Sequence, residues 1–497
     1  MAEDPRSVAA GRRTQIAKLL EGWEPAGRVL VDGRWNEPRS GQLRDAVDPA
    51  TGETLIRAAD GSEADVDAAV AAAERTREAR SWAMASPFER ARVLRRIAAA
   101  VAEQSETLAL LESADTGKPL DNAKGDVESA AAWFDYYASL AVNLEGSTRH
   151  LDQGIALIRR EPVGTVGIIT PFNFPIALSS VKIAPALAAG CSVVHKPSQH
   201  TPLTALAIGQ LALEAGLPPG LLNVVTGGAA TGSALVRHPR VAKIVFTGST
   251  AVGRQVAAEA SQTIKRVTME LGGKSANIVC ADADLATALP RSHFAYTMNA
   301  GQYCEAGSRL LVDARVHDEV VEGLAREAGR AKVGDPLDPE SEVGPLITPA
   351  ATERVHALVA RSVEAGAELV TGDPSVGDRG SYFAPTVIAG AAVDSEIART
   401  ELFGPVVTVL PFGDVEEAIA IANGTPFGLA AGVQTADLGR GIRLAERLEA
   451  GTVWINDWAT GNLTIPVGGW KQSGIGREGG PEGLAGYLEY KSILATL

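Results

Sequence analysis

The stretch NAGQYCEAGSRLL, residues 299–311, places Cys304 among small and polar residues. A structural cysteine usually has apolar neighbours and behaves as a small hydrophobe. Cys304 is therefore a candidate nucleophile. It needs assistance, because a free thiol with a pKa of about 8.5 is largely protonated at neutral pH. Glu305 follows it directly, and a negative charge there disfavours the thiolate.

Glu270 is the candidate general base. It lies in TMELGGKSANIV, after an apolar strand and before Gly272 and Gly273, which permit close backbone approach. A carboxylate in a mostly apolar pocket has a raised pKa and accepts protons near neutral pH. A cysteine–histidine hydrolase stays open as an alternative, although none of the seven histidines lies in a motif that marks it as a base.

Composition bounds the class of protein. The 497 residues are 45% hydrophobic and 21% charged, which is ordinary globular composition and predicts two or three domains. The net charge of −14, without a Lys/Arg cluster, argues against nucleic acid as a partner. Three scattered cysteines argue against a disulfide framework and a structural zinc site and favour a reducing, cytoplasmic setting. We expect no bound metal and, since no window reaches the apolar length of a membrane span, no membrane association.

Alternation of strands and helices predicts the fold class. Residues 1–24 are expected to form a polar arm or frayed helix, and the following third of the chain, including one helix over residues 87–113, is helical in pattern. From Ile155 short β-branched runs alternate with helical stretches, and a second such series begins after Cys280. This pattern predicts two α/β units with parallel sheets.

Several predicted strands end in polar or glycine-rich residues, at TPFN (170–173), HKPS (195–198) and FTGS (246–249). Parallel sheets bind ligands outside the carboxyl ends of their strands, so a dinucleotide is expected there. The usual GxGxxG pattern is missing. GGAATG (227–232) and GSTAVG (248–253) are weak substitutes, because most glycines mark turns.

Seven motifs in order resemble the aldehyde dehydrogenase superfamily. They are TPFNFP (170–175), KPSQHTP (196–202), FTGSTAVG (246–253), MELGGKS (269–275), GQYCEAGSR (301–309), ELFGPV (401–406) and PVGGWKQSGIGREGG (466–480). The resemblance implies an α/β fold with a Rossmann-like cofactor domain (25–140 and 161–271), a second α/β catalytic domain (272–470) and a small β oligomerisation extension (141–160 and 481–497). An unpaired C-terminal strand in that extension is expected to pair with another chain and form a homodimer or homotetramer.

The resemblance also implies catalytic roles. Cys304 attacks an aldehyde, and Asn173 with the backbone N–H of Cys304 holds the alkoxide. Hydride leaves for a nicotinamide, and water activated by Glu270 hydrolyses the resulting thioester. Lys182 is expected near the cofactor, where it adds positive potential. Individually, Cys304 could be a core cysteine, Glu270 a salt-bridged acid and Asn173 a turn residue, but the motif order favours the catalytic reading.

NAD is the implied cofactor. Lys196 is expected at the adenosine ribose, Ser249 at a phosphate, Glu401 at the nicotinamide ribose and Phe403 near the ring. The full expected set is Thr170, Phe172, Lys196, Ser198, Gln199, Gly228, Gly232, Phe246, Gly248, Ser249, Leu271, Glu401 and Phe403. Gln199 departs from the family, which often has a glutamate there that repels a 2′-phosphate, so appreciable NADP use is expected as well.

The predicted substrate contacts combine aromatic rings with small residues. They are Phe174, Val181, Tyr303, Glu305, Trp458 and Val467. A bulky, aromatic or amino-aldehyde fits such a wall, with Glu305 meeting a cationic part of the substrate. The alternatives are a semialdehyde dehydrogenase, a coenzyme A-acylating relative, which Glu270 disfavours, and a non-catalytic binding or structural relative.

Overall fold

The computed structural model describes residues 5–372 and 381–496. Elements are numbered in chain order. The first are α1 (Pro5–Leu20), β1 (Val29–Val31), β2 (Arg34–Asn36), β3 (Leu43–Val47), β4 (Thr54–Ala59), α2 (Glu63–Ala79), α3 (Pro87–Glu103), α4 (Ser105–Thr116), α5 (Leu120–Ala141), β5 (Ser147–Leu151) and β6 (Gly154–Pro162). The alternating series then begins with β7 (Thr165–Ile169), α6 (Pro175–Ala189), β8 (Ser192–Lys196), α7 (Leu203–Glu214), β9 (Leu222–Val224), α8 (Ala229–Arg237), β10 (Lys243–Thr247), α9 (Thr250–Ser261) and β11 (Arg266–Glu270).

The second series follows directly. It contains β12 (Ala276–Val279), α10 (Leu285–Thr297), a 3₁₀ turn (Met298–Gly301), β13 (Arg309–Asp313), α11 (His317–Arg330), α12 (Pro349–Glu364), β14 (Glu368–Thr371), β15 (Thr386–Ala389), α13 (Glu396–Arg399), β16 (Val406–Phe412), α14 (Val415–Asn423), β17 (Phe427–Gly428), β18 (Ala430–Gln434), α15 (Leu438–Ala445) and β19 (Thr452–Ile455). The chain closes with β20 (Trp470–Lys471), β21 (Gly474–Ile475), α16 (Gly480–Ala485) and β22 (Leu488–Thr496).

The first large sheet has the strand order β2-β1-β9-β8-β7-β10-β11-β21. Its five central strands are parallel, and β7, β8 and β10 are buried along their whole length. Such fully buried strands read as near-continuous apolar runs, because helices cover both faces of the sheet. The chain runs outward from β7 through β8 to β9 and then returns to β10. The strand order therefore reverses between β7 and β10, which is where open α/β sheets bind ligands.

The second large sheet has the order β14-β15-β16-β13-β12-β18-β19 and is parallel except for β14. Its first strand in sequence, β12, begins six residues after β11 ends the first series. The short strand β21 returns to the first sheet, where Gly474 pairs with Glu270. This pairing ties the chain that follows the second sheet to the strand that carries Glu270.

A third sheet is antiparallel, in the order β22-β6-β5. Strand β22 pairs with β6 of its own chain from Leu488 opposite Pro162 to Thr496 opposite Gly154. The expectation of an unpaired C-terminal strand is therefore wrong, because the strand finds its partner within the chain. Within the described residues, the outer edges of β22 and β5 have no strand partner.

The N-terminal segment also differs from the polar arm or frayed helix expected. Helix α1 packs onto the protein, with Ile16 and Leu20 buried. Arg12 donates to the carbonyl of Leu337 at 2.6 Å, and Arg13 pairs with Asp335. The charged residues of α1 predict a segment exposed to solvent. In the structure three of its apolar residues are buried, and Arg12 and Arg13 bind partners more than 300 positions away.

The helical stretch expected over residues 87–113 is two helices. Helix α3 ends at Glu103, and α4 starts two residues later, after Gln104 leaves helical geometry with ψ near 19°. The break sends α4 in a new direction, so that its C-terminal half, including Glu112 and Asp115, is buried under α6 and α7. Within the described residues, no helix is both long enough and apolar enough to cross a bilayer.

Candidate active site

A cleft of about 1430 Å³ opens at the carboxyl edge of the first sheet, where the strand order reverses. It brings together ten of the thirteen residues predicted to hold a cofactor. They are Thr170, Phe172, Lys196, Ser198, Gln199, Gly228, Gly232, Phe246, Gly248 and Ser249. These residues come from loops that follow different strands, and they meet because parallel strands all end at the same edge.

The cleft offers groups suited to a diphosphate. Ser249 caps α9, its hydroxyl accepting the backbone N–H of Val252 at 3.4 Å, and the N-terminus of a helix carries positive potential. The buried hydroxyl of Thr247, on the cleft wall, has no hydrogen-bond partner among the described residues. The buried Lys196 ammonium donates to the carbonyls of Pro197 and Gly227. These features fit a dinucleotide.

The other three predicted cofactor residues link this cleft to Cys304. Phe403, at the left-handed φ of 55°, packs edge-to-face on Phe172 with ring centroids 5.7 Å apart. Glu401 accepts the backbone N–H of Gly273 at 3.2 Å, and burial raises its pKa to about 7. Leu271 packs against Gly253 of α9.

The loop before Cys304 adopts a strained backbone. Asn299, Ala300 and Gly301 have φ of 50°, 54° and 70°. For a non-glycine residue the left-handed region costs roughly 1–2 kcal/mol. Hydrogen bonds hold the turn, since Asn299 Nδ2 donates to the carbonyl of Asn173 at 2.8 Å and Gln302 Oε1 accepts the N–H of Ile347 at 2.9 Å. Strain of this kind persists only where the surrounding structure fixes the backbone, as functional sites do.

Asn173 is hydrogen-bonded to this turn. Its Nδ2 donates to the carbonyl of Gln302 at 3.0 Å, which uses one of its two N–H groups. Its Oδ1 has no partner among the described residues. The second N–H of Asn173 has no acceptor among the described residues.

Electrostatics around Cys304 oppose the thiolate. Burial raises the pKa of the thiol well above its usual value, and the negative charges of Glu305, Glu401 and Glu270 raise it further. The resting form is therefore the thiol. A base must take its proton as the sulfur attacks, because the thiolate is the reactive nucleophile.

Glu270 has the burial and the pKa shift that a general base of this kind needs. It ends β11, is buried, and its Oε1 has no hydrogen-bond partner in the described part of the chain. Burial raises its pKa well above the usual range, and the charge of Glu478 raises it further, while Lys182 opposes the shift. A carboxyl with a raised pKa and a free oxygen can accept a proton and hold it.

Lys182 lies beside this base rather than free in the cofactor cleft. Its fully buried ammonium donates to Glu478 Oε2 at 2.8 Å. Glu478 was not among the predicted site residues. A signal existed, because it lies within the recognised motif PVGGWKQSGIGREGG, but nothing in the sequence links it to Lys182, 296 positions earlier.

Three of the predicted substrate-wall residues contact one another beside Cys304. The rings of Phe174 and Tyr303 meet edge-to-face with centroids 5.8 Å apart, and the Tyr303 hydroxyl donates to Glu305. Burial raises the pKa of Glu305, while this hydrogen bond opposes the shift. The half-buried Phe174, Tyr303 and Glu305 thus form one group that flanks the nucleophile.

The other three predicted wall residues differ in exposure. Trp458 is only 3% exposed, and its ring packs against Gly307, Gly432 and Trp454 behind the Cys304 loop. Val181 is buried in α6, and the half-exposed Val467 donates its N–H to the carbonyl of Glu478 at 2.7 Å. In the described ranges, no group of three His, Cys, Asp or Glu side chains is placed to hold a metal ion.

A cysteine, a buried carboxyl group and a dinucleotide-sized cleft are the features of an oxidoreductase that uses a dinucleotide. The profile of the aldehyde dehydrogenase family matches residues 35–493, and the chain belongs to this family. The family, the α/β fold and the aldehyde dehydrogenase class of enzyme predicted from the sequence are thereby confirmed.

Three relatives illustrate the similarity. Betaine aldehyde dehydrogenase of Cereibacter sphaeroides is 43% identical over 471 residues, which cover 95% of this chain and 97% of that protein. The crystal structure of betaine aldehyde dehydrogenase from Staphylococcus aureus in complex with NAD+ superposes with a TM-score of 0.95 at 36% identity, covering 98% and 97% of the two chains. That of an NAD-dependent aldehyde dehydrogenase from Sinorhizobium meliloti gives a TM-score of 0.94 at 40% identity, covering 97% and 96%.

Close backbone packing at Gly273 predicts a sensitive position. A Cβ there would lie 2.5 Å from the carbonyl oxygen of Cys304 and 3.2 Å from Leu429 Cβ, so Gly273→Ala must displace the nucleophile. Displacement of a reacting group by about 1 Å can cost on the order of 100-fold in rate, and we expect a loss of that size in kcat/KM. Gly329→Ala, with no heavy atom within 4 Å of its new Cβ, is the control and should leave activity unchanged. Equal activity of the two variants would contradict the assignment.

The Glu478 contact predicts a shift in pH dependence. Glu478→Gln removes a negative charge that raises the pKa of Glu270 and frees the positive Lys182, so both changes lower the pKa of Glu270. Glu270 must be deprotonated to act as a base. The acid limb of the pH–rate profile for thioester hydrolysis should therefore move to lower pH, as measured by single-turnover product release. An acid limb that stays in place or moves to higher pH would show that Glu478 does not act on the base.

Proposed function

We propose that this protein oxidises a bulky aldehyde that carries a cationic amine to its carboxylic acid, with NAD as cofactor. The observation that carries the substrate class is the negative charge around the nucleophile. Glu305, Glu401 and Glu270 lie close enough to Cys304 to raise its pKa, and Glu305 accepts the hydroxyl of Tyr303, whose ring packs on that of Phe174. A cation near an aromatic face and a carboxylate is favoured by both.

The residues of the site divide the reaction among them. Cys304 Sγ forms a bond to the aldehyde carbon as its proton passes to Glu270. Asn173 Nδ2 and the Cys304 backbone N–H stabilise the alkoxide, a role typically worth about 100-fold or more in rate. When bound, NAD supplies the hydride acceptor. As the alkoxide collapses, the hydrogen of the aldehyde carbon leaves with its electron pair and the thioester forms, while Glu270 releases the thiol proton to solvent. Glu270 then takes a proton from water, whose oxygen attacks the thioester carbon. That proton passes to the sulfur as the carbon–sulfur bond breaks, so that the acid leaves and the thiol is restored.

NAD is supported by the cleft and by the solved relatives. The Staphylococcus aureus enzyme is a complex with NAD+, and ten predicted cofactor residues of this chain line one cleft. NADP use is supported by the neutral Gln199. Arg44, which was not predicted, lies beside Gln199. A Cβ added to Gly228 would be 3.0 Å from Gln199 Oε1 and 3.6 Å from Arg44 Nη2, so both side chains approach the same point. A guanidinium there favours a further phosphate.

The alternatives fit the site less well. A semialdehyde would bring its own carboxylate towards Glu305, where like charges repel. A coenzyme A-acylating enzyme has no need of the base Glu270. A non-catalytic relative has no need to keep Cys304, Glu270 and Asn173 together.

A homodimer or homotetramer is proposed through the sheet of β5, β6 and β22. Its edges are unpaired in this chain, and it exposes Leu157, Tyr490, Ile493 and Leu494. Exposed apolar residues next to open strand edges favour pairing with another molecule. A cytoplasmic location is proposed from the free thiols of Cys191, Cys280 and Cys304, since a reducing compartment preserves a reactive thiol.

Separate roles for Cys304 and Glu270 can be tested by rapid mixing with aldehyde and NAD. Cys304→Ala should abolish oxidation. Glu270→Gln should slow steady-state turnover by roughly 100-fold or more, because it removes the base, and a burst of NADH should precede the slow phase if hydride transfer suffers less than hydrolysis. Cys280→Ala, which alters a buried thiol away from the site, should keep its activity. Full turnover by Cys304→Ala would refute the proposed function.

Charge recognition can be tested with two isosteric aldehydes. Betaine aldehyde and 3,3-dimethylbutanal have the same shape and differ in one positive charge. We expect wild-type kcat/KM to favour the cation, and Glu305→Gln to reduce that preference by about 10-fold, the size expected for one screened ion pair. Glu322→Gln on the exposed face of α11 is the control. A preference for the neutral aldehyde, or an unchanged ratio in Glu305→Gln, would exclude this substrate class.

Cofactor choice can be tested at Gln199. Wild-type kcat/KM with NADP should lie within 1,000-fold of that with NAD, an interval of about 4 kcal/mol. Gln199→Glu should lower kcat/KM with NADP at least 10-fold and leave NAD nearly unchanged, because the added carboxylate repels only the 2′-phosphate. Steady-state kinetics with both cofactors decide this. An equal loss for both would mean that Gln199 does not face that phosphate.

A further inference from the structure

An ionic cluster lies buried beneath the substrate wall. The side chain of Lys118 is fully buried, and its ammonium pairs with Asp126 and lies 3.6 Å from Glu112 Oε1. The same ammonium sits over the ring of Phe174, 4.2 Å from its centroid. A desolvated ammonium over an aromatic face is among the stronger contacts of this kind.

The carboxylates of the cluster also fix the starts of two helices. Glu112 Oε1 accepts the backbone N–H of Ile176 at 3.3 Å, in the first turn of α6, and its Oε2 accepts the hydroxyl of Thr204 in α7. Asp115 Oδ2 accepts the N–H of Leu203 at 2.9 Å, at the start of α7. Carboxylates stabilise helix N-termini. Phe174 directly precedes α6. The cluster therefore contacts the Phe174 ring through Lys118 and the first turn of α6 through Glu112.

Phe174 connects the cluster to the reaction site. One face of its ring is covered by Lys118, and its half-buried remainder meets Tyr303, the neighbour of Cys304, edge-to-face. Asn173, directly before it, is the proposed alkoxide donor. A rotation of the Phe174 ring would therefore move the wall that faces the nucleophile.

We propose that Lys118 is a positioning residue for aldehyde binding, whose ammonium holds the Phe174 ring in place against Tyr303. The ring then presents only its free surface to the substrate. Lys118 could balance the charges of Glu112 and Asp126 without lying over an aromatic ring. Its contact with the face of Phe174 therefore indicates a positioning role in addition to charge balance. The inference rests on the proposed function, since it assigns Phe174 to the aldehyde pocket.

The test is a double-mutant cycle between the cluster and the ring. Lys118→Met combined with Asp126→Asn neutralises the pair at nearly constant volume, and both changes are also made in a Phe174→Leu background. We expect KM for phenylacetaldehyde to rise 5–20-fold in the otherwise wild-type chain, with kcat within about 2-fold. In the Phe174→Leu background the same pair should change KM less than 2-fold, because interacting residues are not additive.

Two further measurements separate the possible failures. Acetaldehyde, which is too small to reach along the wall, should show a several-fold smaller rise in KM than phenylacetaldehyde. If the neutralised pair does not fold, Lys118→Arg, which keeps a cation that can stack on the ring, should retain wild-type KM. Equal effects of the pair in both backgrounds, or an equal rise for both aldehydes, would overturn the proposal. If wild type oxidises no aldehyde, the proposed function fails instead.

Discussion

The site depends on the cost of placing several carboxyl groups and a thiol together in a region shielded from water. Glu270, Glu305 and Glu401 all raise the pKa of Cys304, and burial raises it further. Such an arrangement disfavours any additional negative charge, so the proton of the thiol must be handed to a neighbour as the sulfur attacks. The raised pKa of Glu270 favours its uptake of that proton in the reaction that we propose, and once the proton has passed to solvent the same property suits it to activate water.

Close backbone contacts bring these groups together from two sheets. Glu270 ends a strand of the first sheet, while Cys304 lies on a loop between elements of the second. The carboxylate of Glu401 packs directly against Gly272, and the carbonyl of Cys304 packs directly against Gly273. A side chain at either glycine would displace the group that contacts it. The left-handed turn at residues 299–301 sets the direction of the loop that carries Cys304. Strain concentrated in one turn is consistent with a backbone that is held for chemistry rather than for stability.

Two fully buried lysines flank the pocket, and each is paired with carboxylates. Lys182 binds Glu478 beside the base, and Lys118 binds Asp126 beneath Phe174. Buried ion pairs contribute little net stability, because desolvation offsets most of their attraction, yet removing one partner leaves an uncompensated charge and is costly. Their effect here is to restrict where Glu270 and Phe174 can lie. Positioning of the reacting groups thus comes partly from charges that never touch the substrate.

Sequence alone determined the alternation of strands and helices, the family, and the loops that line the cleft of the first sheet, because each is encoded in short runs of residues. It also predicted Cys304 and Glu270 as the reactive pair. It could not determine which residues meet across long separations. Glu478 joins Lys182 from 296 positions away, Lys118 reaches Phe174 across 56 positions, and the ring of Trp458 packs against Gly307, 151 positions before it. Helix α1 was misjudged for the same reason, since its partners Asp335 and Leu337 lie more than 300 residues further on. Local patterns report what a segment prefers, whereas the pKa of a buried group depends on every charge that the folded chain places near it.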